Sequence, residues 1–327
     1  MEMDLVFLGT GGSVPTARRS TACLLARVAA DRMLFDCGEG SQRQMQRSTG
    51  LVQVDDIFIT HLHADHYLGV PGLLKTYDLH GRERPLRVIG PPGLFELFGA
   101  LRRIFGRLAY EIELVELERD EPVRRDGYEV RPFEVSHTMR AYGYALVEDV
   151  RPGRFDPEAA ERLGIAAGPD FKRLQEGIAV EGSAGTVSPE QVMGGPRPGR
   201  KVIVSGDTSP CEMTRLAAHE AQLLVHDASF ADEELHRAAE TGHSTARQAA
   251  ELAAEAAVEM LALVHISSRY HVGEVLAEAR EVFAAALAPR DFDLVEIPFP
   301  ERGPPRMIEN GAREPRGPSA TEPATTR

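Results

Sequence analysis

Over the first sixty residues apolar positions fall in short runs broken by turn formers: Leu5 to Leu8, a glycine- and proline-bearing loop from Gly9 to Pro15, then Cys23 to Ala26, Met33 to Phe35 and Ile57 to Thr60. Runs of that length, bounded by Gly, Pro, Ser and Asp, read as β-strands. AYGYALVE, ending at Glu148, and VIVSGD, ending at Asp207, are strand-like in the same way. Further on the period changes. Glu233 to His236 and, at greater length, Thr245 to Met260 are alanine-rich with apolar residues recurring every three to four positions, which predicts helix; Ser244 and Thr245 are placed to cap the second. Leu261 to Ile266 then predicts a strand that delivers His265. Strands in runs, followed by helices between later strands, predict an α/β fold of two sheets covered by helices on their outer faces.

Two segments depart from this pattern. Val150 to Lys201 is rich in Gly, Pro and charge with little strand periodicity, as expected of a flexible functional insertion. It carries eight basic and seven acidic residues, a local +1 in a chain whose formal net charge is −13. Gly303 to Arg327 has no apolar pattern and reads as a disordered tail. The expected organisation is therefore one domain over residues 1–302, including a 150–201 arm, followed by the 303–327 tail.

A chain of 327 residues, 43% hydrophobic, can bury a large core. Cys23, Cys37 and Cys211 are odd in number and widely spaced, which argues against a disulfide framework or a thiolate zinc site and points to a reducing cytoplasm. Glu2 and Asp4 stand where a secretory leader would be basic, so the start reads as a first strand. No run nears the roughly 18 apolar residues of a membrane span. The negative net charge is unusual for a nucleic-acid enzyme, yet bound cations are absent from that sum and the local field governs binding. Gly9, Gly11 and Gly12 do not make a dinucleotide-binding loop, because Pro15 and a strand follow them in place of a helix.

The chemistry lies in His61-Leu62-His63-Ala64-Asp65-His66, directly after a predicted strand. His61 and His63 are two apart, so an extended backbone points both imidazoles the same way. Asp65 and His66 follow as the chain turns into a helix expected near Tyr67, and can face a second ion. His137 in FEVSHT, Asp207 in VIVSGDT and His265 in LALVHIS recur at strand ends and complete a two-ion ligand set. Imidazoles suit Zn²⁺, and a carboxylate with two oxygens can bridge two ions; Asp207 is the expected bridge. Two such ions activate water and clamp a phosphoryl oxygen, so phosphodiester hydrolysis is the chemistry these residues suggest. His243 in GHST is the candidate general acid, with Asp227 in VHDASF to hold its ring.

Together these motifs resemble the metallo-β-lactamase superfamily and, more narrowly, the short form of tRNase Z. LGTGGSVPTARRSTACLL, HLHADHYLGVPGLL, GDT, HDASF, GHST and HISSRY are similar to that family's successive motifs, from the N-terminus to about Pro300. The resemblance implies a metallo-β-lactamase αββα sandwich with a protruding arm, and two Zn²⁺ per chain, with Mn²⁺ as the other candidate. One ion would be held by His61, His63, His137 and Asp207, the other by Asp65, His66, Asp207 and His265. Asp65 would double as proton acceptor. It implies removal of the 3′ trailer from precursor tRNA, leaving a 3′-hydroxyl, by a homodimer. It also assigns substrate contacts to Arg269 of HISSRY and to Gly168, Pro169, Lys172 and Arg173 of the arm. Asp227 departs from the family, which usually carries glutamate there, and the relay depends on whether the shorter side chain reaches His243. The other readings are a phosphodiesterase or arylsulfatase of the same branch acting on small esters, or a metal-loaded RNA-binding scaffold without turnover.

Overall fold

The computed structural model describes residues 2–118, 121–183 and 185–311. Two compact units emerge. Among the described residues, one takes in the chain up to Val123, Val130–Leu146 and the part from Lys201 on; the other comprises Arg124–Glu129 and Val147–Arg200.

The first unit opens with the antiparallel strands β1 (Met3–Gly9), β2 (Cys23–Val28) and β3 (Asp31–Phe35). Parallel additions follow: β4 (Asp56–Phe58), β5 (Leu86–Gly90) and β6 (Ile112–Glu116). Parallel neighbours need crossovers, and helices provide them. These are α1 (Ser41–Arg47), α2 (Ala64–Tyr67), α3 (Val70–Leu79) and α4 (Leu94–Phe105). The sheet is buried on both faces. Val6 and Leu8 join the cluster under the helices, with Leu73, Leu74, Tyr77 and Phe98, while Leu5 and Phe7, alternating with them, are equally buried.

The second sheet is ordered β15-β14-β13-β12-β9-β8-β7. Its antiparallel part is β7 (Val123–Arg125), β8 (Tyr128–Glu134) and β9 (Tyr142–Glu148). After the second unit, which contributes α5 (Pro157–Arg162), α6 (Pro169–Gln175) and the hairpin of β10 (Val180–Gly182) and β11 (Gly185–Val187), a parallel run resumes. It consists of β12 (Lys201–Val204), β13 (Leu223–Asp227), β14 (Met260–Val264) and β15 (Ala286–Leu287), with crossovers α7 (Glu212–Ala218), α8 (Leu235–Thr241), α9 (Ala246–Glu255) and α10 (Val272–Val282). The sheets meet where Tyr144 of β9 packs its ring 5.7 Å from Phe35 and 5.2 Å from Phe58, its hydroxyl donating to Ile59 O at 2.7 Å. Helix, sheet, sheet and helix are the layers expected from the strand and helix pattern.

Differences from the sequence reading are local. The helix expected near Tyr67 begins at Ala64, so Asp65 and His66 sit on its first turn. Thr245 caps α9 in a box with Gln248, but the helix stops at Glu255, short of Met260, because Ala257 turns left-handed (φ 54°). The tail assignment is corrected over its first part. After β16 (Leu294–Glu296), β17 (Arg306–Ile308) pairs antiparallel with it, and Ile308 packs against the core. Three residues between prolines and arginines are too few to register as a period. The remainder of the proposed tail, 312–327, lies outside the described residues.

The second unit is not bare loop. Ala160, Ile165, Leu174, Val180, Val187 and Val192 form its own small core, with Phe155 and Phe171 packed on it. Arg151 and Arg197 exchange backbone hydrogen bonds of 2.8 and 2.9 Å at its neck. Below them the fully buried Arg200 pairs with Glu148 at 2.5 and 2.8 Å.

Candidate metal centre

Chain ends of strands from both sheets converge on one cleft of about 490 Å³, lined by Ser13, His63, Asp65, Thr138, Asp207, His243 and His265 among others. The loop after β4 supplies His61 and His63, whose Nε2 and Nδ1 lie 3.0 Å apart; His137, in the turn after β8, brings its Nε2 within 3.2 Å of the same His63 nitrogen. His137 is aimed by its other nitrogen, which donates to Gly242 O at 2.7 Å. Gly242 has φ 73°, and a Cβ there would sit 3.0 Å from that nitrogen, so the glycine of GHST is required by the turn.

Asp207 follows β12 through Gly206 and is buried. Its Oδ2 lies 3.7 Å from His61 Nε2, 3.3 Å from His66 Nε2 and 3.2 Å from His265 Nε2. Asp65 Oδ2 is 3.5 Å from His66 Nε2 and 3.2 Å from His265 Nε2, and accepts Ser13 N–H at 3.0 Å. One group of His61, His63, His137 and Asp207, and a second of Asp65, His66 and His265, thus have the donor types and spacing of a metal site, with Asp207 between them. His66 Nε2 is buried and makes no hydrogen bond, although the two carboxylate oxygens surround it. An orphaned imidazole nitrogen costs free energy unless something else accepts its lone pair, and a cation does.

The electrostatics are those of a site built around positive charge. Burial alone would raise Asp207 and Asp65, but the adjacent His265 and His66 imidazoles outweigh it and hold both well below the usual carboxylate range. Burial pushes His61 well down, toward the neutral ring a metal ligand needs.

His243 stands at the end of α8 with its ring stacked on His265, centroids 5.2 Å apart. Its Nδ1 lies 2.8 Å from Asp227 Oδ2, so the shorter carboxylate does reach. Asp227 can do so because it ends β13 in register with Val264, next to His265. Burial disfavours a charged His243, yet Asp227 outweighs it and the ring is raised to about 9.

Sequence reasoning missed the residues behind these. Asp36, buried after β3 with φ 59°, accepts from His66 Nδ1 at 2.7 Å and from Thr60 N–H at 2.8 Å. Ser229 lies 2.8 Å from His265 Nδ1. Asp291 ties down both ends of the connection between β1 and β2, accepting from the Thr10 hydroxyl at 2.8 Å and from Ser20 N–H at 2.7 Å. Asp36 follows an apolar run as a turn aspartate would, and only its place opposite His66 distinguishes it. The expected substrate residues are elsewhere. Arg269 is about half exposed and pairs with Glu234 at 3.5 Å. Gly168 and Pro169 start α6 in the second unit, where Lys172 and Arg173 are exposed and paired locally with Glu176 and Asp170.

Similar proteins carry the same arrangement of chain. A ribonuclease Z of Methanosarcina acetivorans is 47% identical over 303 residues, 91% of this chain and 99% of that one. The chain belongs to the ribonuclease Z family. The short form of human tRNase Z superposes with TM-score 0.65 at 26% identity, covering 90% of this chain and all of that one. A Bacillus subtilis protein described as having the metallo-β-lactamase fold, YhfI, gives 0.67 at 16% identity over 90% and 100%, which fixes the fold alone. Residues 3–150 match the family model described as anti-Pycsar protein Apyc1. Metallo-β-lactamase-fold tRNase Z enzymes use divalent metal, in keeping with the His and Asp groups assembled here. Among the described residues no helix is long and apolar enough to cross a membrane.

Proposed function

We propose that this chain is a metal-dependent endoribonuclease that removes the 3′ trailer from precursor tRNA and leaves a 3′-hydroxyl on the tRNA. The observation that carries the reading is the placement of Asp207 Oδ2 within 3.2 to 3.7 Å of three imidazoles, one bearing an orphaned buried nitrogen. One ion would be held by His61, His63, His137 and Asp207, and a second by Asp65, His66, His265 and the same Asp207; two Zn²⁺ suit these donors best, with Mn²⁺ compatible. Bound there, divalent ions supply Lewis acidity toward the attacked phosphate and make water nucleophilic at neutral pH.

The chain's own residues do the rest. Asp65, fixed by Ser13 N–H, orients the attacking water and takes its proton. His243, held by Asp227, gives a proton to the leaving oxygen. The 150–201 arm grips the tRNA body through Gly168, Pro169, Lys172 and Arg173, and Arg269 contacts substrate as well. Shape and phosphate contacts suffice for such a grip. The protein works as a cytoplasmic homodimer, one subunit gripping while the other cuts. Incubating zinc-loaded protein with a precursor tRNA and mapping the new end tests this. Cleavage directly after the mature 3′ end is expected, and an intact precursor beside rapid hydrolysis of small phosphodiesters would overturn it.

A further inference from the structure

We propose that Ser229 is a positioning residue for the metal centre: its hydroxyl sets the tautomer and aim of His265, so that the Asp227 carboxylate behind it serves His243 and His265 together. The inference rests on His265 being a metal ligand as read above. Ser229 Oγ has three polar neighbours: Asp227 Oδ1 at 2.6 Å, His265 Nδ1 at 2.8 Å and His243 Nδ1 at 3.2 Å. A hydroxyl has one proton to give. A carboxylate can only accept, so the proton points to Asp227 and the oxygen's lone pairs face the imidazoles. His243 Nδ1 has a nearer acceptor, Asp227 Oδ2 at 2.8 Å. The remaining lone pair therefore receives His265 Nδ1–H. In the neutral ring a metal ligand must be, that leaves His265 Nε2 without a proton, and Nε2 is the atom 3.2 Å from both Asp65 and Asp207.

The Asp227 carboxylate divides its work by oxygen. Oδ1 accepts Ser229 O–H and Ser229 N–H (2.9 Å); Oδ2 accepts His243 and Thr208 N–H (3.1 Å), the residue after Asp207. The side chain is fully buried, so these donors stand in for the water it loses. His265 has little alternative placement. Its backbone is left-handed at φ 59°, and the ring packs so closely on Gly12 that a Cβ there would fall 2.7 Å from Nδ1. The carboxylate, hydroxyl and imidazole form a relay of the sort that orients metal-bound histidines, with a serine inserted between acid and ring.

The test is zinc affinity of the full chain, measured by competition with a chromophoric chelator, for Ser229→Ala, Ser229→Thr and His265→Ala. Ser229→Ala should weaken one of the two zinc equivalents about 10- to 100-fold, the range seen when outer partners of ligands are removed. Ser229→Thr, which keeps the hydroxyl, should stay near the unsubstituted value. If His265→Ala loses an equivalent but Ser229→Ala binds both as before, this inference fails and the ligand reading stands. If His265→Ala also keeps both, the ligand reading itself fails. Ring ¹⁵N spectra of the zinc-loaded, unsubstituted chain give a second readout that needs no substitution at Ser229: His265 should carry its proton on Nδ1, and a proton on Nε2 would overturn the proposal.

Discussion

His66 Nδ1 lies 2.7 Å from Asp36 Oδ2, thirty positions earlier in the chain, and the pair is buried beneath the metal centre. The carboxylate fixes which nitrogen of His66 is protonated and turns the other toward Asp65 and Asp207. Asp36→Ala should therefore lower metal affinity about 10- to 100-fold, the usual loss for such a partner. Asp36→Asn, able to accept the same hydrogen bond, should lose less. Metal titration of the two variants checks this, and equal affinity in Asp36→Ala would mean that His66 is aimed by something else.

Chelation should abolish cleavage and lower the melting temperature together. Ions that bind only the folded chain stabilise it by about 2.7 kcal/mol for free metal at a hundred times the dissociation constant. Elemental analysis should find about two divalent ions per chain in active protein, as a paired site requires. One ion at full activity would contradict the paired-site mechanism.

Asp65 and His243 should separate by substrate. Asp65→Ala removes the group that orients the nucleophile, so it should lose turnover on every substrate while tRNA binding survives. His243→Ala should lose turnover on RNA but be largely rescued on a phosphodiester with a weakly basic leaving group, because that oxygen needs little protonation. Steady-state kinetics on the two substrates decides. Equal losses on both would remove His243 from the acid role.

The neck at Arg151 and Arg197 defines where the arm can be excised. Bridging residues 151 and 197 with a short Gly-Ser linker keeps the Glu148–Arg200 pair and removes the small core around Leu174. Precursor-tRNA cleavage should fall severely, chiefly through KM, while hydrolysis of a small phosphodiester persists. Unchanged KM for precursor tRNA would make the arm irrelevant to binding.

Arg200→Ala leaves the Glu148 carboxylate buried beside an empty site. Removing one partner of such a pair costs about 3 to 5 kcal/mol, read as a lower denaturant midpoint. Replacing both, Glu148→Gln with Arg200→Met, should recover most of that loss.

The candidate metal ligands were legible because their chemistry constrains both residue type and spacing: HLHADH is a dense run of ligand types after a strand, and His137, Asp207 and His265 each follow a strand-like run. The groups behind them were not. Asp36, Ser229 and Asp291 are single polar residues at strand ends and turns, and their meaning lies in which distant side chain faces them. The sheets were legible where runs of four or more apolar residues cross a core buried on both faces. β17 and the elements of the arm escaped because each sets only a few apolar residues among glycines, prolines and charges, so no run or period declares itself. Asp227 was open on sequence alone, since whether a shorter acid reaches depends on the register of β13 against β14.

Asp65 and His265 stand 3.2 Å apart in space and 200 positions apart in sequence. The second ligand group therefore cannot be completed locally: it closes only when the ends of β4 and β14 are brought together. A chain still emerging from the ribosome holds HLHADH long before β14 arrives, and until then it lacks His265. Copies truncated before β14 are expected to lack a complete second ligand group, so that metal occupancy of that group would report that the whole domain has been made and closed.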